Sequence, residues 1–226
     1  QAKKKGFLFR FELKKIAIIL KQYWQFPVYQ AVPSLLNTIS LTLPIFIVHA
    51  AFGTAQTGQF DLSRLVLSLP MALISIALSQ VYLQHQAEKI RNKQDIKTDF
   101  KKVSWGLLLL SLPFAIVLFF LATPLFAFVF GSEWQLAGQL TAILIFGQTL
   151  KFIVSPLSST LIALQDVRYS AIWQVLYFVA MIWLFIQPGA SIEDFTIRYC
   201  LIDLVAYSLY FGLIFLRIQH YEKLRS

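Results

Sequence analysis

Three basic residues of this 226-residue chain, Arg64, Lys151 and Arg198, lie inside long apolar runs rather than between them. A Lys at the centre of a membrane-spanning helix costs roughly 2.5 to 3.5 kcal/mol, so such a cation normally faces a polar interior or a water-filled cavity. The chemistry such residues can do there is to hold an anion. Lys151 sits near the midpoint of the apolar run 139–164. On a helix turning about 100° per residue, Gln148, Ser155, Ser158 and Gly147 fall within about 60° of it, with Thr141 and Ser159 just beyond. No carboxylate lies within one turn, so Lys151 is expected to line a cavity, the alternative being a hydrogen-bonded lysine between helices. Arg64 enters an earlier run near its external end, and Asp61, Ser68, Ser75, Ser79 and Tyr82 fall within about 60° of it. A local pair with Asp61 and snorkelling to the interface is the other reading of Arg64.

Arg198 follows Asp194 by four residues, the spacing of an ion pair on one helix face, and reads as an interfacial anchor. Asp203 is deeper and about 140° around the same helix, on a face with Tyr199, Tyr207 and Tyr210. Its partner is expected on another helix, and it reads as a proton or sodium coupling site or as a counter-ion to Lys151 or Arg64. Asn37, His49 and Gln174 are interhelical hydrogen bonders by type, with Asn37 also a candidate for the cavity wall. Catalytic signatures are absent: no Walker A loop, no Gly-rich dinucleotide turn, no Cys/His metal spacing and no Gly-x-Ser-x-Gly elbow. No catalytic residue, metal or cofactor is expected.

The elements that must position these residues follow from composition. With 58% hydrophobic and 14% charged residues and a mean hydropathy of +0.66, the chain reads as an all-α, polytopic integral membrane protein. The net charge of +9 is not a nucleic-acid signature. Seventeen of the twenty Lys and Arg residues fall at the N-terminal end, at 89–102, at Arg168 and at 217–225, whereas the alternate connections 52–58, 131–135 and 187–194 carry none. This is the positive-inside pattern, and it predicts both termini in the cytoplasm.

Six spans are expected, at about 28–51, 59–83, 103–130, 136–164, 169–186 and 195–218, each needing about 20 residues. Pro33 and Pro44 predict a bent first span whose freed carbonyls are satisfied by neighbours. Trp105, Trp134, Trp173 and Trp183 lie toward span ends, as interfacial tryptophans do. Residues 1–27 read as a basic linker containing an amphipathic interfacial helix, and 219–226 as a cytoplasmic tail. The chain begins at Gln1 rather than Met, and an upstream segment is expected.

The run Phe26-Pro27-Val28-Tyr29 through Val32-Pro33-Ser34-Leu35-Leu36-Asn37, then Leu43-Pro44, resembles the opening of the C-terminal half of the polysaccharide-synthesis flippases of the multidrug/oligosaccharidyl-lipid/polysaccharide exporter superfamily. Phe52-Gly53 with Thr57-Gly58-Gln59-Phe60, and Phe130-Gly131-Ser132-Glu133-Trp134 with Ala137-Gly138, are similar to that family's short external turns. Ser63-Arg64 through Leu67-Ser68-Leu69-Pro70, with Ser79-Gln80-Val81-Tyr82, and Ser155-Pro156-Leu157 with Ala163-Leu164-Gln165, resemble its adjoining helices. The resemblance implies one six-helix lobe of a two-lobed transporter of the bacterial inner membrane, whose missing N-terminal lobe is its partner. Such proteins move lipid-linked oligosaccharide, typically on undecaprenyl pyrophosphate, for surface polysaccharide or O-antigen export by alternating access. Arg64 carries over within the matched motifs; Lys151 rests on its burial alone.

The expected substrate contacts are therefore Arg64, Lys151, Gln148, Ser68, Ser75, Ser155 and Asn37, with Asp203 as the ion-coupling candidate, and with membrane lipids rather than nucleic acid as surroundings. A cation-coupled drug antiporter of the same superfamily is a second reading, disfavoured because cationic drugs prefer an acidic cavity. A membrane polysaccharide polymerase or glycosyltransferase would need larger external loops, and a non-transporting fragment is the remaining alternative.

Overall fold

The computed structural model describes residues 31–225; the amphipathic helix expected before residue 27 lies outside them. The described chain is all-helical: α1 (Val32–Phe52), α2 (Thr54–Arg91), α3 (Lys97–Phe130), a 3-10 turn (Ser132–Trp134), α4 (Gln135–Leu157), the short α5 (Ser159–Ala163), α6 (Val167–Ile186) and α7 (Ile192–Arg225). Six of these segments, with α4 and α5 counted as one, are long and apolar enough to cross a membrane. The protein is a multi-pass membrane protein.

Turns at one end are tight because glycine permits them. Gly53 has φ +85° and Gly131 φ +106°, a region L side chains rarely enter. Each glycine N–H closes the preceding helix by donating back to a carbonyl four residues earlier, His49 and Ala127 respectively. The helices run longer than a hydrocarbon core requires: α2 has 38 residues, roughly 57 Å at 1.5 Å per residue against a core of ~30 Å. Its basic end therefore projects beyond the apolar zone. There His85 lies 2.9 Å from Asp99 and Lys89 pairs with the same carboxylate.

Glu222 of α7 reaches the start of α3, where its Oε1 accepts the N–H of Ile96 at 2.9 Å and of Lys97 at 3.4 Å. Asp95 accepts the N–H groups of Lys97 and Thr98. Hydrogen bonding from Thr98 is the largest influence on its carboxyl and holds it below the ordinary carboxylate value, despite the opposing effect of burial. Residues 219–225 thus belong to a continuous helix that fastens to the 92–97 connection.

The bundle is organised around α4, which packs against α3, α2 and α7, while α1 rests on α6 and α2. Of the most apolar stretch of the α4–α5 segment, 61% lies inside the bundle, against 17–33% for the other five. Its Gly138 allows the closest approach: a Cβ there would come 2.5 Å from the Thr123 Cα of α3. Small residues let membrane helices meet backbone to backbone, where dispersion rather than the hydrophobic effect drives association. Large apolar side chains such as Leu73, Phe120, Phe128 and Leu209 point outward instead, as a lipid solvent allows.

Trp173 departs from the interfacial pattern. It is buried, donates its indole N–H to the Ala206 carbonyl at 2.9 Å, and stacks on Tyr210 with ring centroids 4.2 Å apart. Proximity to a span end in sequence does not set depth when the side chain turns toward the bundle.

Candidate functional site

The stripes of α2 and α4 meet. Arg64, Ser68, Ser75 and Ser79 from α2, with Gln148, Lys151 and Ser155 from α4, line one open cavity of about 430 Å³, and Leu41 of α1 also stands in its wall. One hydroxyl of the α2 wall is tied to its own backbone, as Ser79 Oγ donates to the Ser75 carbonyl at 2.6 Å. That bonding keeps the polar lining compatible with an apolar surrounding.

Arg64 does not pair with Asp61. Its Nη2 donates to the Leu41 carbonyl at 2.6 Å, in the turn of α1 just before Pro44, whose ring removes a helix donor. Its Nε and Nη1 are buried without partners, and its Cζ lies 5.7 Å from the Phe60 ring centroid. One arm of the guanidinium is fixed to α1, then, while the rest retains donor capacity beside the cavity.

Lys151 has neither an ion pair nor a hydrogen bond among the described residues. Its Nζ lies 5.6 Å from the ring centroid of Tyr207 on α7, a cation–π contact. Asp203 and Arg64 both act on it electrostatically, the first attracting and the second repelling.

Asp203 lies outside the cavity wall. It is 1% exposed, accepts a hydrogen bond from the Tyr177 hydroxyl at 2.6 Å, and packs against Gly147 of α4. Its Tyr177 partner on α6 is not among the sequence candidates; a tyrosine three residues after Gln174, in the middle of a spanning helix, is the signal that marks it. Arg198 pairs with Asp194 at 3.1 Å, the i,i+4 pair expected on one helix face. Asn37 lines a neighbouring cavity, and Gln174 is 3.5 Å from Ser40, at the limit of a hydrogen bond.

Among the described residues no group of three or more His, Cys, Asp or Glu side chains is arranged to hold a metal. What the cavity brings together is the Arg64 guanidinium and the Lys151 ammonium, with Ser68, Ser75, Ser79, Ser155 and Gln148 in the same wall. This arrangement can hold an anion by charge-assisted hydrogen bonds, which are roughly twice as strong as neutral ones.

Fold and cavity together define a helical membrane protein with a polar, cationic chamber between its central helices. A family described as "Polysaccharide biosynthesis protein" matches residues 7–138, and the chain belongs to it. The chain is also 22% identical over 144 residues to the teichuronic acid biosynthesis protein TuaB of Bacillus subtilis (strain 168), an alignment covering 64% of this chain and 30% of that protein. The chain thus spans about a third of that relative's length. No solved structure matches it.

Proposed function

We propose that this chain forms one lobe of a flippase that carries lipid-linked oligosaccharide across the bacterial inner membrane, with both termini on the cytoplasmic side. The observation that carries the reading is the cavity that joins Arg64 and Lys151 between α2 and α4. A diphosphate head group cannot enter hydrocarbon unsolvated. Two cations and several hydroxyls in a low-dielectric chamber supply the missing solvation, where charge interactions are far stronger than in water. Membership in a polysaccharide biosynthesis family supports polysaccharide export as the setting.

In this mechanism Arg64 and Lys151 hold the diphosphate, Gln148, Ser68, Ser75 and Ser155 complete its hydrogen bonding, and Asp203 offsets the cationic field from behind Lys151. The second lobe, expected upstream, supplies the opposite wall, and rocking of the lobes exposes the chamber to either side in turn. The role is transport and not bond-making chemistry. Full-length protein reconstituted into vesicles tests this, with accessibility of fluorescent undecaprenyl-pyrophosphate oligosaccharide as the readout. Translocation above that of empty vesicles is expected; its absence at verified insertion would overturn the reading.

A further inference from the structure

A second cavity, of about 570 Å³, adjoins the cationic one. Its size falls within the range of small-molecule sites, roughly 300–1,000 Å³. The two share Ser155, and Tyr207, which lines the second cavity, offers its ring to the Lys151 ammonium of the first. They are adjacent compartments with different chemistry. Among the described residues the wall of the second has no Lys, Arg, Asp or Glu; Ser34, Asn37, Ser158 and Gln174 stand there beside aromatic rings.

That lining excludes several ligand classes. Pro33, Ile162 and Val167 also line the cavity, yet an acyl chain there would strip its amides and hydroxyls of water, and a phosphate or an organic cation would meet no opposite charge among the described residues. Uncharged groups that both donate and accept, held beside aromatic rings that are packed against one another, match a ligand with many hydroxyls. Carbohydrate is that ligand.

The wall is also fixed in advance. The Tyr210 hydroxyl donates to Ser170 at 2.9 Å, and Trp173 stacks on Tyr210, so neither ring needs ordering on binding. The side-chain amide of Asn37 makes no hydrogen bond among the described residues and is exposed. A neutral amide with two donors and an acceptor is thereby free at the cavity wall.

We infer that this second cavity is a glycan subsite: it receives the sugar nearest the diphosphate while the diphosphate lies between Arg64 and Lys151. The inference rests on the flippase reading and adds to it a division of labour between neutral and charged compartments. Full-length protein in nanodiscs is titrated with two probes, sugar-free undecaprenyl pyrophosphate and undecaprenyl pyrophosphate bearing the repeat unit extracted from the producing cells. Asn37→Ala and Ser34→Ala are expected to weaken binding of the glycosylated probe roughly three- to ten-fold, the worth of a lost neutral hydrogen bond. Asn37→Gln retains the amide and loses less. Binding of the sugar-free probe stays unchanged in all three, which also reports that they are folded, whereas Lys151→Ala weakens both probes. Unchanged affinity for the glycosylated probe would mark a hydrated void only, and parallel losses for both probes would assign these residues to the diphosphate; either result overturns the subsite. Failure of the wild-type protein to bind either probe would remove the flippase reading itself.

Discussion

Asp203 occupies the space that a side chain on Gly147 would fill: a Cβ added to Gly147 would come 3.1 Å from the Cβ of Asp203. The missing side chain lets α7 bring a carboxylate against α4 one helical turn from Lys151, since residues four apart share a face. The Tyr177 hydroxyl holds that carboxylate from α6. Three helices thus converge on one carboxylate that lies outside the cavity wall.

Replacing Asp203 with Ala is expected to cost about 1–3 kcal/mol, because the Tyr177 hydroxyl is left buried without its acceptor. Asp203→Asn keeps an acceptor and costs less. In a double-mutant cycle with Lys151→Ala, thermal unfolding should show a coupling of roughly 0.5–3 kcal/mol, as for residues in one network. Additivity within about 0.5 kcal/mol would show that Asp203 does not act on Lys151.

Gly138→Ala forces α3 and α4 apart, since the new methyl would meet backbone atoms of Ala122 and Thr123. A loss of about 1–3 kcal/mol is expected, as for overpacked sites. Gly106→Ala, where nothing lies within 4 Å, should be neutral or stabilising by up to about 1 kcal/mol through helix propensity. Measuring both melting temperatures in one detergent checks the contrast, and equal shifts would contradict the close approach.

Arg64→Lys keeps the charge and discards the planar fork that reaches Leu41. Loss of a hydrogen bond to a charged group predicts a destabilisation of about 1.5–3 kcal/mol. Amide exchange in α1 near Pro44 should rise with it. If exchange there matched the wild type, the Arg64 contact would not be what steadies the proline turn.

Glu222→Ala removes an acceptor for two N–H groups at the start of α3. The cost of losing such a cap is about 0.5–2 kcal/mol. Hydrogen exchange at 96–98 should accelerate while α4 stays protected; uniform protection would place the closure of this end elsewhere, as in the Arg217–Asp166 pair at 2.5 Å.

Much of the bundle is legible in the sequence because lipid imposes a simple rule: a spanning segment must be long, apolar and helical. The two stripes around Arg64 and Lys151 are legible for the same reason, since a charge in such a segment needs polar company. What sequence periodicity leaves open is which helices turn those stripes toward each other. The partner of Arg64 is a backbone carbonyl on α1, invisible to any reading of side-chain types. Asp203 is recognisable as anomalous, yet its seat depends on the absence of a side chain at Gly147 and on Tyr177 in a different helix. Trp173 misleads because its position along the chain says nothing of the direction it faces.

The most direct measurement of the central claim is the initial flipping rate of the full-length protein in vesicles, compared among wild type, Arg64→Ala, Lys151→Ala and the double variant at matched insertion. If the cavity holds a diphosphate, each single change lowers the rate roughly ten- to a hundred-fold, the worth of a charge-assisted contact, and the double variant falls to the level of empty vesicles. Rates equal to wild type in the double variant would show that the anion crosses by another route.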